Sequence, residues 1–454
     1  MKITFYGGTG SVTGANFLVE HSGEAGDIKF AVDCGMMQGS KIADSFNRDP
    51  FLYNPADLSF LLVTHAHIDH IGRIPKLVKD GFAGKIVSTP ETKEIAAVLL
   101  EDAFSIMESD SRKDGVLPIY EKKDIEKALS LWQTIPYHTD FSLNNDLKIY
   151  LKDSGHILGS SMIEIISKEE RVVFTGDLGN SPSLLLNDTE DITDANYIVM
   201  ESVYGDRNHE PKEERREKLK QVILDTIKEK RTLIIPAFSL ERTQTILYEM
   251  NDFFESGVIP EIPVFVDSPL ASKITKIYEK SNNLKQSVKD EIKAGDDVFK
   301  FPKLRFTVLA NESEKISMTR APKIIIAGSG MSTGGRVIHH EKDNVGNPNA
   351  TILLVGYQSV GTLGRKLQDG LKEVQIYGQI MPVKARIDTI TGYSSHKDSD
   401  HLTAFVEKAN ESGKLKKVFV VMGEPKSSLF LVQRLRDELN VKAENPEYKS
   451  EYTV

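Results

Sequence analysis

Short apolar runs broken by turn residues fill the first third of the chain: KITFYGG, ANFLVEH, IKFAVDCG and, after a longer connection, FLLVTHAH. Runs of this kind read as β-strands. Helical spacing first shows in RIPKLVKDG and more fully in ETKEIAAVLLEDAFSIMES. Strands followed by helices predict a sheet covered by helices. From about Asp206 the texture changes. A charged helical stretch, EPKEERREKLKQVILDTIKEKR, leads into four strand-then-helix units with the strands TLIIPAF, IPVFVDSP, KIIIAGSG and ATILLVGY. Each is apolar on both faces, as a parallel sheet covered on both sides requires, and binding residues then belong at the carboxyl ends of the strands. The last segment holds a hairpin-like stretch, EVQIYGQIMPVKARIDTITGYSSH, then the helix HLTAFVEKA, the strand KVFVVMGEP and the helix SSLFLVQRLRDEL.

Composition narrows the function classes. At 454 residues the chain is too long for one ordinary core, which predicts two domains. A formal charge of −9 argues against a protein that coats nucleic acid by general attraction, so any polyanion must be held locally, by metal or by a basic cleft. The single cysteine, Cys34, excludes an intrachain disulfide and a Cys-based zinc knuckle, and is expected to be a buried strand residue. MKITFYGGTGSVTG lacks the charged start and long apolar run of a secretory signal, and no stretch approaches a membrane span; a cytoplasmic protein with no membrane partner is expected. GGTGSVTG does not have the spacing of a nucleotide loop, GxGxxG, and a strand follows it, so it reads as a turn.

The chemistry concentrates in His65-Ala-His67-Ile-Asp69-His70, at the end of the strand FLLVT. An isolated His is ordinarily a surface or capping residue, whereas four potential ligands in six residues are rare by chance. Side chains alternate along an extended segment, so His65 and His67 point the same way and Asp69 and His70, at the turn, can face a second point beside the first. Two adjacent metals suit this better than one. Imidazole and carboxylate are ligands that zinc prefers. Further ligands must come from other strand ends or from beside a Gly: His156 in DSGHILGSS, Asp177 in VVFTGDLGN and His396 in TGYSSHKDSD. The expected assignment is His65, His67 and His156 to one zinc, Asp69, His70 and His396 to the other, and Asp177 as the bridge.

HAHIDH resembles the defining motif of the metallo-β-lactamase superfamily, and the resemblance extends along nearly the whole chain. GGTGSVTGANFLVE, VDCGMMQG, SGHILGS, FTGDLGN, MESVYGDR, IPAFSLERTQ, VDSPLA, GSGMSTGGR and GYQSVGTLGR are similar to motifs of its β-CASP branch, which includes the endonuclease subunit of mRNA 3′-end cleavage complexes. The resemblance implies an α/β fold: a metallo-β-lactamase αββα sandwich with an inserted doubly wound parallel-sheet β-CASP domain. The expected domains are residues 1–205 and 386–454 for the sandwich and 206–385 for the insertion. Glu201, after the strand NYIVM, matches the branch's acidic motif and is expected to tune the catalytic groups, so that Asp69, Glu201 and His396 form the catalytic set. His at position 396 is typical of the branch's RNA enzymes. Three departures stand out. The cleavage subunit has a His after its GTL motif, where this chain has Lys366; Met422 stands in VVMGEP where relatives commonly read HGE; and no KH module is present.

The implied activity is zinc-dependent ribonuclease action: two Zn2+ ions supply an activated hydroxide that attacks phosphorus in line. Endonucleolytic cutting is expected, 5′ exonuclease action is compatible with it, and so is a homodimer. Arg242, Ser268, Ser329, Arg336 and Gly361 follow strand ends of the inserted domain and are the expected substrate contacts, since Arg forks and backbone N–H groups suit phosphate oxygens. The competing readings are a thioester or lactone hydrolase, a DNA nuclease, and a catalytically idle scaffold.

Overall fold

A computed structural model of the chain describes residues 1–39, 43–359 and 361–454. Of the sequence motifs above, GYQSVGTLGR has one residue, Val360, outside the described set. The chain divides into two units, Met1–Asn208 with His396–Val454, and His209–Ser395.

The first unit is built on two seven-stranded sheets. One runs in the order Glu451–Thr453, Lys2–Phe5, Phe17–Gly23, Gly26–Val32, Phe60–Leu62, Lys85–Ser88 and Trp132–Thr134. The other runs Ala443–Glu444, Lys417–Val420, Tyr197–Met200, Arg171–Phe174, Ser161–Ile166, Lys148–Asp153 and Phe141–Ser142. The period-two alternation of a strand sorts the apolar residues between layers. Val172, Phe174, Val199 and Phe419 join Phe5, Phe17, Phe30 and Val32 in the core between the sheets. Their neighbours Val173, Ile198, Met200, Val418 and Val420 face the other way, into a core shared with Leu402, Phe405 and Val406 of the helix Ser399–Asn410 and Leu431 and Leu435 of the helix Pro425–Leu439. On the first sheet the alternate residues Ala31, Leu61 and Ile86 are fully buried too. Sheets apolar on both faces therefore need helices outside each, which is the αββα arrangement.

The second unit carries a six-stranded sheet, in the order Leu304–Phe306, Val264–Val266, Lys323–Ala327, Thr232–Pro236, Ala350–Val355 and Arg386–Ile390, parallel throughout. Its four central strands are the four the sequence marks as apolar on both faces. The order reverses between Lys323–Ala327 and Thr232–Pro236, the topological switch point of a doubly wound sheet. This unit runs to Ser395, and its last strand, Arg386–Ile390, hydrogen-bonds along Ala350–Val355. The segment EVQIYGQIMP forms a separate two-stranded hairpin.

Two buried carboxyls of the second unit are held by hydroxyls. Tyr278 Oη donates to Glu241 Oε2 at 2.5 Å, and burial pushes the Glu241 carboxyl up from 4.5 to about 7. Glu341, bonded by Ser332, stands at about 7 for the same reason. A carboxyl raised in the folded state contributes stability that is complete below its unfolded value and is lost as pH rises through the folded one. Glu241 alone should therefore cost about 3 kcal/mol between pH 4.5 and 7, at about 1.4 kcal/mol per unit. Urea unfolding at pH 5 and pH 7 checks this: the loss on going to pH 7 should shrink by roughly 2 to 3 kcal/mol in Glu241→Gln.

Candidate metal centre

The strand Phe60–Leu62 delivers Thr64 and His65 to its carboxyl end, and His67 opens the one-turn helix Ile68–Ile71 that carries Asp69 and His70. Two backbone segments clamp this turn. Ala15 N–H donates to the Asp69 carbonyl at 3.0 Å, Cys34 N–H to His70 O at 2.8 Å and Met36 N–H to Ile68 O at 3.0 Å. The approach is so close that a Cβ on Gly35 would lie 1.5 Å from the Asp69 carbonyl oxygen, which is why VDCG needs its glycine. Cys34 itself is buried just past its strand, with a thiol pushed up to about 12 by burial. The loop SGHILGS is built around Ser160, whose Oγ accepts from His156 N–H at 3.0 Å and Ile157 N–H at 3.2 Å. Asp177 follows the strand Arg171–Phe174, and its successor Leu178 donates its N–H to Glu201 Oε1 at 2.6 Å.

These elements converge on one carboxylate. Asp177 Oδ2 lies 3.3 Å from His65 Nε2, 3.4 Å from His156 Nε2 and 3.9 Å from His396 Nδ1, while Oδ1 lies 3.5 Å from His70 Nε2. His67 Nδ1 faces His65 Nε2 at 3.2 Å and His156 Nε2 at 3.3 Å. His65, His67, His156 and Asp177 thus form one group of ligand atoms within 4.8 Å of one another, and Asp177, Glu201 and His396 form a second. His396 Nδ1 sits 3.2 Å from both Glu201 oxygens.

Burial pushes His67 and His156 well below the ordinary histidine range, leaving neutral rings with lone pairs. Burial opposes the charge on His70, but Asp177 and Asp33 outweigh it and hold that ring well above its usual value. His396 stands at about 9 for a like reason, Glu201 and Asp177 overcoming burial. Burial likewise works against Asp177, yet His70, His65 and His396 keep its carboxyl low; Asp69 and Glu201 are raised, chiefly by burial. The donor set fits a cation. His70 Nε2 is buried without a hydrogen-bond partner, and His65 Nε2, His67 Nδ1 and His156 Nε2 point into one space. Nitrogen and carboxylate donors around an open position are what a divalent metal site requires.

Sequence reasoning missed the groups that aim these rings. Asp33 Oδ2 lies 2.8 Å from His70 Nδ1 and accepts from Thr64 Oγ1 at 2.8 Å, while Oδ1 accepts from Thr64 N–H at 2.8 Å. Thr64 Oγ1 in turn reaches His65 Nδ1 at 3.0 Å. The available signal was an Asp ending the apolar run IKFAV. Of the departures, Met422 is 1% exposed and belongs to the core between the sheets, whereas Lys366 is exposed on the helix Leu363–Gln368 of the second unit.

The expected substrate contacts lie at the carboxyl ends of the second unit's strands. Ser268 caps the helix Pro269–Lys280 and its Oγ is 3.0 Å from Ser239 Oγ; Ser329 Oγ accepts from Thr333 N–H at 3.0 Å. Gly361 has open space where a side chain would stand. Both arginines are engaged internally. Arg242 donates to Val355 O at 2.7 Å, and Arg336 to Asp267 Oδ1 at 2.7 Å and to the carbonyls of Thr307 and Val308.

Family models match three segments: the metallo-beta-lactamase superfamily over 32–236, the Beta-Casp domain over 243–367, and the Zn-dependent metallo-hydrolase RNA specificity domain over 380–446. A ribonuclease of Thermus thermophilus is 30% identical over 411 residues, 90% of this chain and 91% of that protein. The chain belongs to the β-CASP branch of the metallo-β-lactamase superfamily. Its β-CASP relatives also include the transcription termination factor FttA of Pyrococcus horikoshii, 29% identical over 98% of this chain and 70% of that one. A crystal structure of a protein of unknown function from Enterococcus faecalis V583 shares the fold, with a TM-score of 0.58 at 13% identity over 100% of this chain and 99% of its own. As a member of this branch the chain is a metal-dependent hydrolase, and among the described residues no helix is long and apolar enough to cross a membrane.

In metallo-hydrolases the carboxylate behind a histidine fixes its tautomer, and losing such a partner typically weakens metal binding about 10- to 100-fold. Asp33→Asn should show that loss in a competition titration against a metal chelator, with the unfolding transition retained.

Proposed function

We propose that the protein is a zinc-dependent ribonuclease that hydrolyses RNA phosphodiester bonds, as an endonuclease with 5′ exonuclease action where a free end is offered. The observation that carries this reading is the Asp177 carboxylate, which lies 3.3 Å from His65 Nε2, 3.4 Å from His156 Nε2, 3.5 Å from His70 Nε2 and 3.9 Å from His396 Nδ1. His65, His67 and His156 would hold one zinc, Asp69, His70 and His396 the other, with Asp177 shared between them. Zinc ions so held would lower the pKa of a water toward about 7 and would take up charge from the phosphodiester. Glu201, with both oxygens on His396 Nδ1 and one on Leu178 N–H, orients His396 and the loop of Asp177 together. Asp69 and Glu201, both raised by burial, are suited to hold a proton in transit. Ser268, Ser329 and Gly361 would meet the substrate backbone, with Arg242 and Arg336 bracing the loops beneath. The segments 1–205 and 206–385 would serve as hydrolase and β-CASP parts and 386–454 as the returning hydrolase part, which sets out from the second unit's edge strand Arg386–Ile390.

RNA is favoured over DNA or a small ester by His396 and by the ribonuclease and RNA-specificity descriptions of the matching relatives and model. The same reading sets the protein in the cytoplasm and is compatible with a homodimer. The test is to incubate the zinc-loaded protein with a 5′-labelled single-stranded RNA, its DNA counterpart and a thioester. Cleavage of RNA alone is expected, with product lengths separating internal from end cutting. Hydrolysis of the thioester or DNA with RNA untouched would overturn it.

A further inference from the structure

Above the switch point of the second unit's sheet, the loops after Thr232–Pro236, Val264–Val266, Lys323–Ala327 and Ala350–Val355 carry one exposed large apolar side chain among their described residues. It is Phe238, 39% exposed. The position is built rather than incidental. The Phe238 carbonyl accepts from Thr243 N–H at 3.2 Å and Thr243 Oγ1 at 2.7 Å, which fixes the backbone under the ring. One side of the ring lies against Gly330, where a Cβ would come within 2.8 Å of Phe238 Cδ2 and 3.0 Å of Cε2. Gly330 is pinned in turn, its carbonyl accepting from the fully buried Gln358 Nε2 at 3.0 Å. Three of the loops thus cooperate to present one aromatic ring to solvent, at a real hydrophobic cost.

The surroundings select what such a ring would meet. Beside it stand hydroxyls: Ser239 with Ser268, and Ser329 with Thr333. These loops contain two carboxylates, and neither is presented to solvent. Glu241 is buried under Tyr278 Oη, and Asp267 is wholly buried among Arg336, His340, Ser313 and Thr307. In a chain of net charge −9, these four loops are thereby kept free of exposed acid. A flat apolar ring, hydroxyl donors and no like charge suit a segment whose faces are aromatic and whose linkages are anionic, which is single-stranded nucleic acid.

We infer that Phe238 is a stacking platform for one unpaired base of the RNA substrate, a binding residue that holds the strand by its base rather than its phosphate. This rests on the ribonuclease reading. Stacking of a base on an aromatic side chain changes affinity by roughly 5- to 150-fold. The test measures binding in EDTA, by anisotropy, of a labelled single-stranded RNA and of an equal-length oligomer lacking bases. Wild type should bind the RNA more tightly than the abasic strand. Phe238→Ala and Phe238→Leu should each lose roughly 5- to 150-fold on RNA and little on the abasic strand, while Phe238→Tyr keeps wild-type binding. The leucine variant retains apolar bulk, so a loss shared by Ala and Leu but spared in Tyr reports the ring itself. Equal losses on both strands, or none on RNA, would overturn the platform while zinc-dependent RNA cleavage by the wild type leaves the ribonuclease reading standing. A wild type that neither binds nor cleaves RNA would overturn both.

Discussion

Replacing His67 by alanine should lower RNA cleavage by more than about 100-fold and reduce bound metal, with the unfolding transition unchanged. His67 Nδ1 faces both His65 Nε2 and His156 Nε2, so its removal opens the centre of the first ligand group. Losing a residue that merely orients a ligand costs about 10- to 100-fold, and losing the ligand itself must exceed that. The ring contributes no hydrogen bond to the fold outside this cluster among those described, so stability should survive. Cleavage kinetics, metal content by mass spectrometry and a melting curve on one preparation separate these effects. Full activity in the variant would sink the proposed centre.

The second large effect belongs to stability. Arg215→Ala should destabilise the second unit by about 3 to 5 kcal/mol, the cost of leaving a buried charge without its partner. Arg215 Nη2 donates to Glu249 Oε1 at 3.0 Å, its Nη1 to the Gly392 carbonyl at 3.0 Å, and its guanidinium lies over the Tyr393 ring at 4.5 Å. Tyr393 Oη bonds the other Glu249 oxygen. Glu249 is 1% exposed, so water cannot replace the arginine. Arg215→Met with Glu249→Leu, which removes both charges, should recover most of the loss in urea unfolding; a double variant as unstable as the single one would show that packing, not charge, is responsible.

Much of this architecture is legible in the residues because it is local. HAHIDH announces itself by ligand density, and TLIIP, VFV, KIIIA and ATILLV by being apolar on both faces. The edge strands Leu304–Phe306 and Arg386–Ile390 escaped that rule, since an edge strand is half solvated and RIDTI mixes charge with apolar residues. Partner choice is equally hidden. Arg242 and Arg336 stand where a phosphate would suit them, yet a carbonyl on Val355 and the carboxylate of Asp267 claim them first. Asp33 was missed for the converse reason: its neighbours in sequence are apolar, and only the folding of strand against turn brings it to His70, 37 residues away.

Asp177 gathers side chains from position 65 to position 396 around a single carboxylate. That span sets a clock during synthesis. At about 5 to 20 residues per second, a ribosome needs on the order of tens of seconds after making His70 before His396 follows. Until then the nascent polypeptide carries most of the centre's donors without the one that completes the second group. A chain abandoned anywhere in that interval, from a broken or stalled message, would be released as an unarmed fragment rather than as a stray nuclease.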